Sequence, residues 1–344
     1  MERERYRFQL RSCVWEITLA CCFSCQYCGS KAGKARDNEL TTAECVDIAH
    51  QLADLGCRRV SLIGGEVFMR PDWPIIAKTL RDRGINVSII TNGFIFSEKL
   101  ITQLKNSNVE SIAISLDGPE LIHDRFRQEG SFRRTLQAMD TLTMNDIPVS
   151  VISTLSPQNV HHLEELYKIL KTKRIFAWQL QACSPMGNAL ESEFPTEIDF
   201  PEVIRFVETH LIDAPFCIGI ADNIGYYTDS EGYLRGNISG KACFRGCQAG
   251  LTTIGIDSIG NVRGCESMYD SLFIEGNLRE RSLAEIWSDP DGFAYNRKFD
   301  RSQLSGKCST CEFGSRCAGG CRSYNYFSHG KLYESRYCAK NARM

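Results

Sequence analysis

The chain has no apolar run of about 18 residues, the length a helix needs to cross a bilayer, so a transmembrane helix is excluded. Its opening, Met1-Glu2-Arg3-Glu4-Arg5-Tyr6-Arg7, mixes charges and lacks the apolar centre of an export signal. That predicts a cytosolic chain. An excess of one charge is missing too: 40 basic side chains against 42 acidic ones leave a formal charge of -2. Neither nucleic acid nor an anionic membrane is therefore expected as a partner. Internal repeats and low-complexity tracts are absent. What remains is an ordinary globular composition, 43% apolar and 24% charged over 344 residues. That length suits one large and one modest domain.

Cysteine is the one residue in excess, with 17 in the chain. A disulfide scaffold would call for a short exported chain, whereas clustered thiols in a reducing compartment point to metal ligands. Cys21, Cys22, Cys25 and Cys28 sit together near the start. Cys243, Cys247, Cys265, Cys308, Cys311, Cys317, Cys321 and Cys338 fall in the last hundred or so residues. The other five (Cys13, Cys45, Cys57, Cys183 and Cys217) are isolated and read as small buried hydrophobes.

From residue 13 to 215 short β-branched runs alternate with helix-period segments. The spacing predicts strands over 14–19, 59–63, 86–91, 111–116, 148–155 and 176–181. Helices are predicted over 42–55, 73–83, 97–106, 131–145 and 160–171. Thr41 with Glu44 reads as a capping box, Ser97 as an N-cap, and Gly56 and Gly84 as helix terminators. Six βα units in succession predict a parallel sheet, and periodicity alone does not distinguish an open sheet from a curled one. Residues 216–242 read as a bridging loop, and 251–263 as a small hairpin around Asp257-Ser258-Ile259-Gly260. The tail beyond it has too little apolar periodicity for a core of its own, so metal would have to hold it.

Three unusual segments follow the carboxyl ends of strands, where parallel α/β folds place their functional loops. After the first strand come the thiols Cys21, Cys25 and Cys28, spaced so that one loop can wrap an iron–sulfur cube and leave one iron open. A zinc site on Cys22, Cys25 and Cys28 has legal spacing as well, but it leaves the neighbouring loops without a use. After the second strand, Gly64 and Gly65 admit close backbone approach and Glu66 offers a carboxylate to an ammonium group. After the fourth come Ser115 and Asp117. Taken singly, Gly-Gly-Glu and Asp117 before Gly118-Pro119 are ordinary turns; the shared rim is what raises them. The tail supplies eight thiols, enough to close two four-iron clusters or a pair of zinc sites.

With these residues in view the chain resembles the radical S-adenosylmethionine (SAM) enzymes that carry a C-terminal SPASM domain. The Cys-x3-Cys-x-aromatic-Cys motif matches at Cys21, Cys25, Tyr27 and Cys28. The seven-cysteine SPASM pattern matches at Cys247, Gly260, Cys265, Cys308, Cys311, Cys317, Cys321 and Cys338. The stretch from Gly276-Asn277-Leu278 to Leu283-Ala284-Glu285-Ile286-Trp287 fits as well. Two positions depart from the pattern: Cys22 stands where Asn is usual, and Val67 where Pro is.

The resemblance implies a partial (β/α)6 TIM-like barrel over 13–215, the bridging loop, and a small cysteine-rich SPASM domain over 243–344. It implies three [4Fe–4S] clusters: one on Cys21, Cys25 and Cys28, which binds SAM, and two auxiliary ones. Cys243, Cys247, Cys265 and Cys321 would hold the first auxiliary cluster, and Cys308, Cys311, Cys317 and Cys338 the second. Gly64, Gly65 and Glu66 would receive the methionyl ammonium, Tyr27 would lie near the adenine, and Ser115, Asp117 and Arg127 would contact the rest of SAM.

The implied chemistry is reductive cleavage of SAM to a 5′-deoxyadenosyl radical that takes a hydrogen from substrate, with the auxiliary clusters accepting an electron afterwards. The expected substrate is a ribosomally made precursor peptide or a protein side chain. An electron donor such as flavodoxin or ferredoxin is implied; because only about a dozen residues precede the first strand, a leader on the substrate is expected either to be presented by a separate leader-binding protein or to meet another surface of the chain. A rival reading is a sulfatase-maturase-like oxidase of Cys or Ser. There the residue after the second SPASM cysteine, here Glu266, would accept a proton; as a bland alternative it is an exposed hairpin charge. A third reading is a non-enzymatic multi-cluster electron carrier. Tyr226, Tyr227 and Tyr233 either line a peptide groove or pack against the barrel. Asn237-Ile238-Ser239 matches a glycosylation acceptor, which a cytosolic chain would not use.

Overall fold

The structure is a computed structural model that describes residues 8–191, 200–224, 226–235, 243–338 and 340. The glycosylation-like triplet at 237–239 lies outside the described residues. The strands are β1 (Ser12–Thr18), β2 (Arg59–Gly64), β3 (Asn86–Thr91), β4 (Ser111–Ser115), β5 (Val149–Leu155), β6 (Ala177–Ala182), β7 (Cys217–Ile220), β8 (Thr253–Ile256), β9 (Asn261–Arg263) and β10 (Gly276–Asn277). The helices of the α/β part are α1 (Thr42–Asp54), α2 (Trp73–Asp82), α3 (Glu98–Asn106), α4 (Glu120–Phe126), α5 (Ser131–Met144), α6 (Leu163–Leu170), α7 (Asn188–Glu191) and α8 (Phe200–His210). Shorter ones follow: α9 (Glu231–Leu234), α10 (Leu283–Ser288), α11 (Ala294–Arg297), α12 (Gly314–Cys317) and α13 (Arg322–His329). No helix among the described residues is long and apolar enough to cross a membrane.

Each of the six expected strands forms to within one or two residues, and the local devices behind the helices are in place. Thr41 and Glu44 make a reciprocal capping box at α1, and Ser97 caps α3. Gly56 and Gly84 take φ of 81° and 80° just past α1 and α2, a region open to glycine at no steric cost. Two expectations need correction. Residues 216–242 are not all loop, because Cys217-Ile218-Gly219-Ile220 adds β7 beside β6 and α9 follows. Four residues with a central glycine are too short a run for alternation to register. The hairpin of β8 and β9 is not confined to the tail: β8 pairs in parallel with β1, Cys13 opposite Ile254 and Trp15 opposite Ile256.

The chain forms two compact units. The first comprises Met1–Ser24, Ser30–Ala113 and Gln248–Lys298, the second Cys25–Gly29, Ile114–Cys247 and Phe299–Met344. In the first, β1 lies between β2 and β8 in parallel register, β3 follows β2 in parallel, and β9 and β10 continue antiparallel beyond β8. Trp15, Ile17, Leu62 and Ile89 are buried in that sheet, covered by the i, i+3, i+4 faces of α1 (Cys45, Ile48, Ala49, Leu52) and α2 (Trp73, Ile76, Ala77, Leu80). In the second unit β5, β6 and β7 run parallel. Its core is aromatic: Trp178 and Tyr167 meet Phe206 edge-on at 5.5 and 6.0 Å, and the indole donates to Ser153 at 2.8 Å.

Candidate active site

The register between β1 and β2 shifts between Glu16 and Thr18, and there the chain leaves the sheet for the cysteine loop. The base of that loop is closed like a clasp. Cys21 donates from its backbone to Gly33, Gly33 donates back to Leu19, and Glu39 accepts from Leu19 N and Thr18 Oγ1. Within the first unit Cys21 and Cys22 lie side by side. The Cys21 thiol donates to Cys22, which holds the Cys22 thiol down to about 6, helped by Asn92 Nδ2 at 3.5 Å from the sulfur. The same hydrogen bond, with burial, pushes Cys21 up.

Gly64 and Gly65 end β2 against β1. A Cβ on Gly64 would stand 2.6 Å from the Thr18 carbonyl oxygen, and one on Gly65 equally close to that of Leu19, so neither position tolerates a side chain. Glu66 follows, with no exposed surface. It accepts from Asn92 N (2.9 Å), Thr91 Oγ1 (2.8 Å) and Phe68 N (3.3 Å). Burial pushes its carboxyl up to about 7 against those three donors. Two carboxylate oxygens offer about four acceptor positions, so capacity for one more donor remains. Thr91 and Asn92 were not singled out from the sequence; their place at the end of the parallel strand β3, beside β2, is the cue that could have found them.

In the second unit the backbone of Cys25–Cys28 is held by the turn after β6. Asn188 donates to the carbonyls of Cys28 (3.0 Å, from N) and Cys25 (2.9 Å, from Nδ2). Gly187, at φ 61°, has no room for a Cβ, which would collide with the Cys28 carbonyl. Neither residue was singled out from the sequence, though a glycine between a strand and the next helix was a usable cue. Tyr27 turns inward, packing edge-on against Phe126 at 5.6 Å beside Cys183 and Ala189. Its hydroxyl donates to Asp117, which also takes the Arg127 guanidinium and accepts from Thr154 N at 2.8 Å. Burial alone would raise the Asp117 carboxyl, but Arg127, His123 and the Tyr27 hydroxyl together hold it below its ordinary value. Asp117 is thus 1% exposed with both side-chain oxygens engaged by protein groups, while Ser115 is half-buried at the end of β4. The Arg127 carbon stands 5.6 Å from the centre of the Tyr27 ring.

Of the tail thiols, Cys317 and Cys338 pack in one cluster with Tyr226 and Phe244, and Cys308 is buried, its sulfur accepting from Ser335 N at 3.3 Å and its carbonyl from Cys311 N at 3.3 Å. Tyr226 and Tyr227 pack in this tail, Tyr226 on Phe244 and Cys317, Tyr227 flat on Phe313 at 4.3 Å, while Tyr233 is half-exposed. Gly260 takes φ 90° at the hairpin turn, the conformation behind its place in the SPASM pattern.

Cys265 follows β9 in the first unit, and Glu266 after it is not an exposed hairpin charge. It is 6% exposed, and neither carboxylate oxygen has a hydrogen-bond partner among the described residues. The side chain folds over Gly255 of β8 instead of pointing outward, beside Glu16, Asp257, Arg263 and Arg36. Burial, reinforced by Glu16, pushes its carboxyl well up.

Among the described residues no three Cys, His, Asp or Glu side chains meet closely enough to close on a single metal ion. Donor chemistry gives the test of fit. Three thiols on one loop, two glycines that leave room for backbone alone, and a buried carboxylate with spare acceptor capacity suit an iron–sulfur group that carries an amino acid.

Residues 15–170 match the radical SAM superfamily, and residues 247–312 match SPASM, an iron–sulfur cluster-binding domain. The AdoMet-dependent heme synthase of Methanosarcina barkeri is 28% identical, with 95% of this chain and 96% of that one covered. Mycofactocin maturase MftC of Mycolicibacterium smegmatis is 27% identical over 92% of this chain and 79% of its own length. The fold is similar to that of Streptococcus suis SuiB bound to its precursor peptide SuiA, with a TM-score of 0.79 at 17% identity over 98% of this chain and 78% of that one. Together with the cysteine loop, the glycine pair and the thiol-rich tail, these matches make the chain a member of the radical SAM enzymes with a SPASM domain.

Proposed function

We propose that this enzyme oxidises a side chain of a ribosomally made peptide, removing two hydrogens and leaving a cross-link or an equivalent new bond. When bound, SAM and the iron–sulfur groups supply a 5′-deoxyadenosyl radical that takes one hydrogen atom, and a sink for one electron. The chain's own residues do the rest. Cys21, Cys25 and Cys28 are the ligands of the SAM-binding cluster. Glu66 receives the methionyl ammonium at its remaining acceptor position, and Gly64 and Gly65 let backbone reach the ligand. Asp117 and Arg127 act through Tyr27, fixing its ring where the cysteine loop turns, and Ser115 lies on the same strand end as Asp117. The second hydrogen leaves as a proton, for which the ionised form of Glu266 is the acceptor, and the raised pKa of its carboxyl makes that form a strong base. The eight tail thiols form two ligand sets, Cys243, Cys247, Cys265 and Cys321 in one and Cys308, Cys311, Cys317 and Cys338 in the other. An external one-electron donor is required, and a leader-binding protein would present the peptide.

The eight thiols of the tail, which contains the match to an iron–sulfur cluster-binding domain, carry this reading, since a chain that merely cleaved SAM would not need an electron sink. The likeness to mycofactocin maturase supports a peptide substrate. A second reading, a SAM-dependent step that yields heme, is favoured by the heme synthase relative, which matches over nearly the whole of both chains.

The test is anaerobic reconstitution with iron and sulfide, where three four-iron clusters give about twelve irons per chain. Reduction with SAM should then yield 5′-deoxyadenosine. A short peptide encoded beside the gene should lose two hydrogens by mass. If the peptide is recovered unchanged while heme is formed from a porphyrin precursor, the second reading takes its place.

A further inference from the structure

In the tail, Cys317 and Cys321 are joined by Ala318-Gly319-Gly320, three consecutive residues in the left-handed region with φ of 53°, 83° and 89°. The glycines are required there twice over. A Cβ on Gly319 would lie 2.6 Å from the Tyr333 backbone, and one on Gly320 2.9 Å from the Tyr226 ring. This reversal ends α12, starts α13 and carries Arg322 inward until none of its surface is exposed.

The guanidinium is only partly satisfied. Nη1 donates to the carbonyls of Ala318 and, at 3.0 Å, Leu332, while Nε and Nη2 have no partner among the described residues. Aromatic rings flank it, Tyr333 at 4.5 Å and Phe299 at 5.4 Å from the guanidinium carbon. The guanidinium lies against the loop that joins Cys317 to Cys321, since Nη1 reaches the carbonyls of Ala318 and, at 3.5 Å, Gly320, and Arg322 itself follows Cys321 in the chain. A permanent cation buried with idle N–H groups is costly unless an anion stands beside it. A cube bound by four thiolates is such an anion, and it gains a further negative charge on reduction.

We propose that Arg322 is a positioning residue for the auxiliary iron–sulfur group on Cys247 and Cys321, donating Nε–H and Nη2–H to its sulfurs and raising its reduction potential. The inference rests on the reading that the tail cysteines hold clusters. Hydrogen bonds and positive charge at the sulfurs favour the reduced form, which is the form that has taken up the substrate's electron.

The test uses the full chain with Cys21, Cys25 and Cys28 all changed to Ala, so that the auxiliary clusters, about eight irons, are seen alone. Their midpoint potentials are titrated by electron paramagnetic resonance in this background and with Arg322→Lys or Arg322→Met added. Arg322→Met should shift the potential of one auxiliary cluster downward, and Arg322→Lys should shift it less, since a charge persists without the planar donor fork. Unchanged potentials at full iron content overturn the proposal. If the variants load poorly, the unsubstituted enzyme with 15N-labelled arginine decides. A coupling of arginine nitrogen to a reduced auxiliary cluster supports the proposal, and its absence overturns it. Iron content of about four per unsubstituted chain would instead show that the tail holds no cluster, and the underlying reading would fall first.

Discussion

The two thiol-bearing regions are stabilised by opposite means. Around Cys21–Cys28 the polypeptide is already pinned: Gly33 clasps the base of the loop, Asn188 holds the carbonyls of Cys25 and Cys28, and Asp117 holds Tyr27. Each of these anchors sits at the end of a strand or in a strand–helix turn backed by a full apolar core. Beyond residue 300 the elements are three single turns (Arg301–Gln303, Gly306–Cys308 and Gly314–Cys317) and the two-turn helix α13, and Cys308 and Cys317 are themselves among the buried residues. Thiols stand there in place of an apolar core. On the proposed reading the lesson is a division of labour: iron in the first region serves SAM cleavage without being needed for folding, while in the second it takes up an electron and also stands in for a core.

The sharpest break of that comparison comes from removing a ligand in each. Cys25→Ser should reduce 5′-deoxyadenosine formation to background while the amides of β1, β2 and β3 keep their hydrogen-exchange protection, because the pinned loop does not need metal to fold. Cys311→Ser should do the reverse. Product is lost, SAM cleavage stays within a few-fold, and exchange rises locally over 300–338. Loss of SAM cleavage in Cys311→Ser, or melting of β1–β3 in Cys25→Ser, would show that the two regions are not built differently after all.

How much of this was legible follows the same line. The strands and helices that bury a periodic face (α1 through Cys45, Ile48, Ala49 and Leu52, β3 through alternate residues) were readable because burial repeats at the period of the element. The thiol spacings were readable because metal geometry constrains neighbours in sequence. The anchors were not. Tyr27 and Asp117 are 90 residues apart, and Asn188 reaches Cys25 across 163. Such pairings depend on which strand ends adjoin, and single residues carry no sign of it. The reading of Glu266 as an exposed hairpin charge failed for a related reason, since its burial depends on β8 pairing with β1, a contact between distant segments.

A pH experiment probes the pinned region without touching a ligand. His123 is fully buried in α4, its Nδ1 accepting from Asp117 N at 3.2 Å, and burial lowers its pKa from 6.5 to about 4. Between those values the unfolded chain binds a proton that the folded chain refuses, so stability rises with pH across the window and is lost as pH falls through it. The shift corresponds to about 3 kcal/mol between pH 7 and pH 4. Urea titrations at the two pH values should show it, and His123→Gln should flatten the difference by that amount. An unchanged pH slope in the variant would mean that His123 is not the group being refused its proton.

A smaller effect separates what the Tyr27 hydroxyl does from what its ring does. Tyr27→Phe keeps the edge-on packing on Phe126 but removes a donor from a buried carboxylate that retains Arg127 and Thr154. A hydrogen bond to a charged group is worth roughly 2 kcal/mol, so stability should fall by about that much. If the hydroxyl serves to fix the ring over the cysteine loop, the KM for SAM should rise several-fold in Tyr27→Phe with kcat little changed. Asp117→Asn, which leaves the ring and its hydroxyl in place but weakens the same link, should then move KM in the same direction. A fall in stability with KM unmoved in both variants would make the link a brace of the second unit alone and would place the ligand's adenine elsewhere.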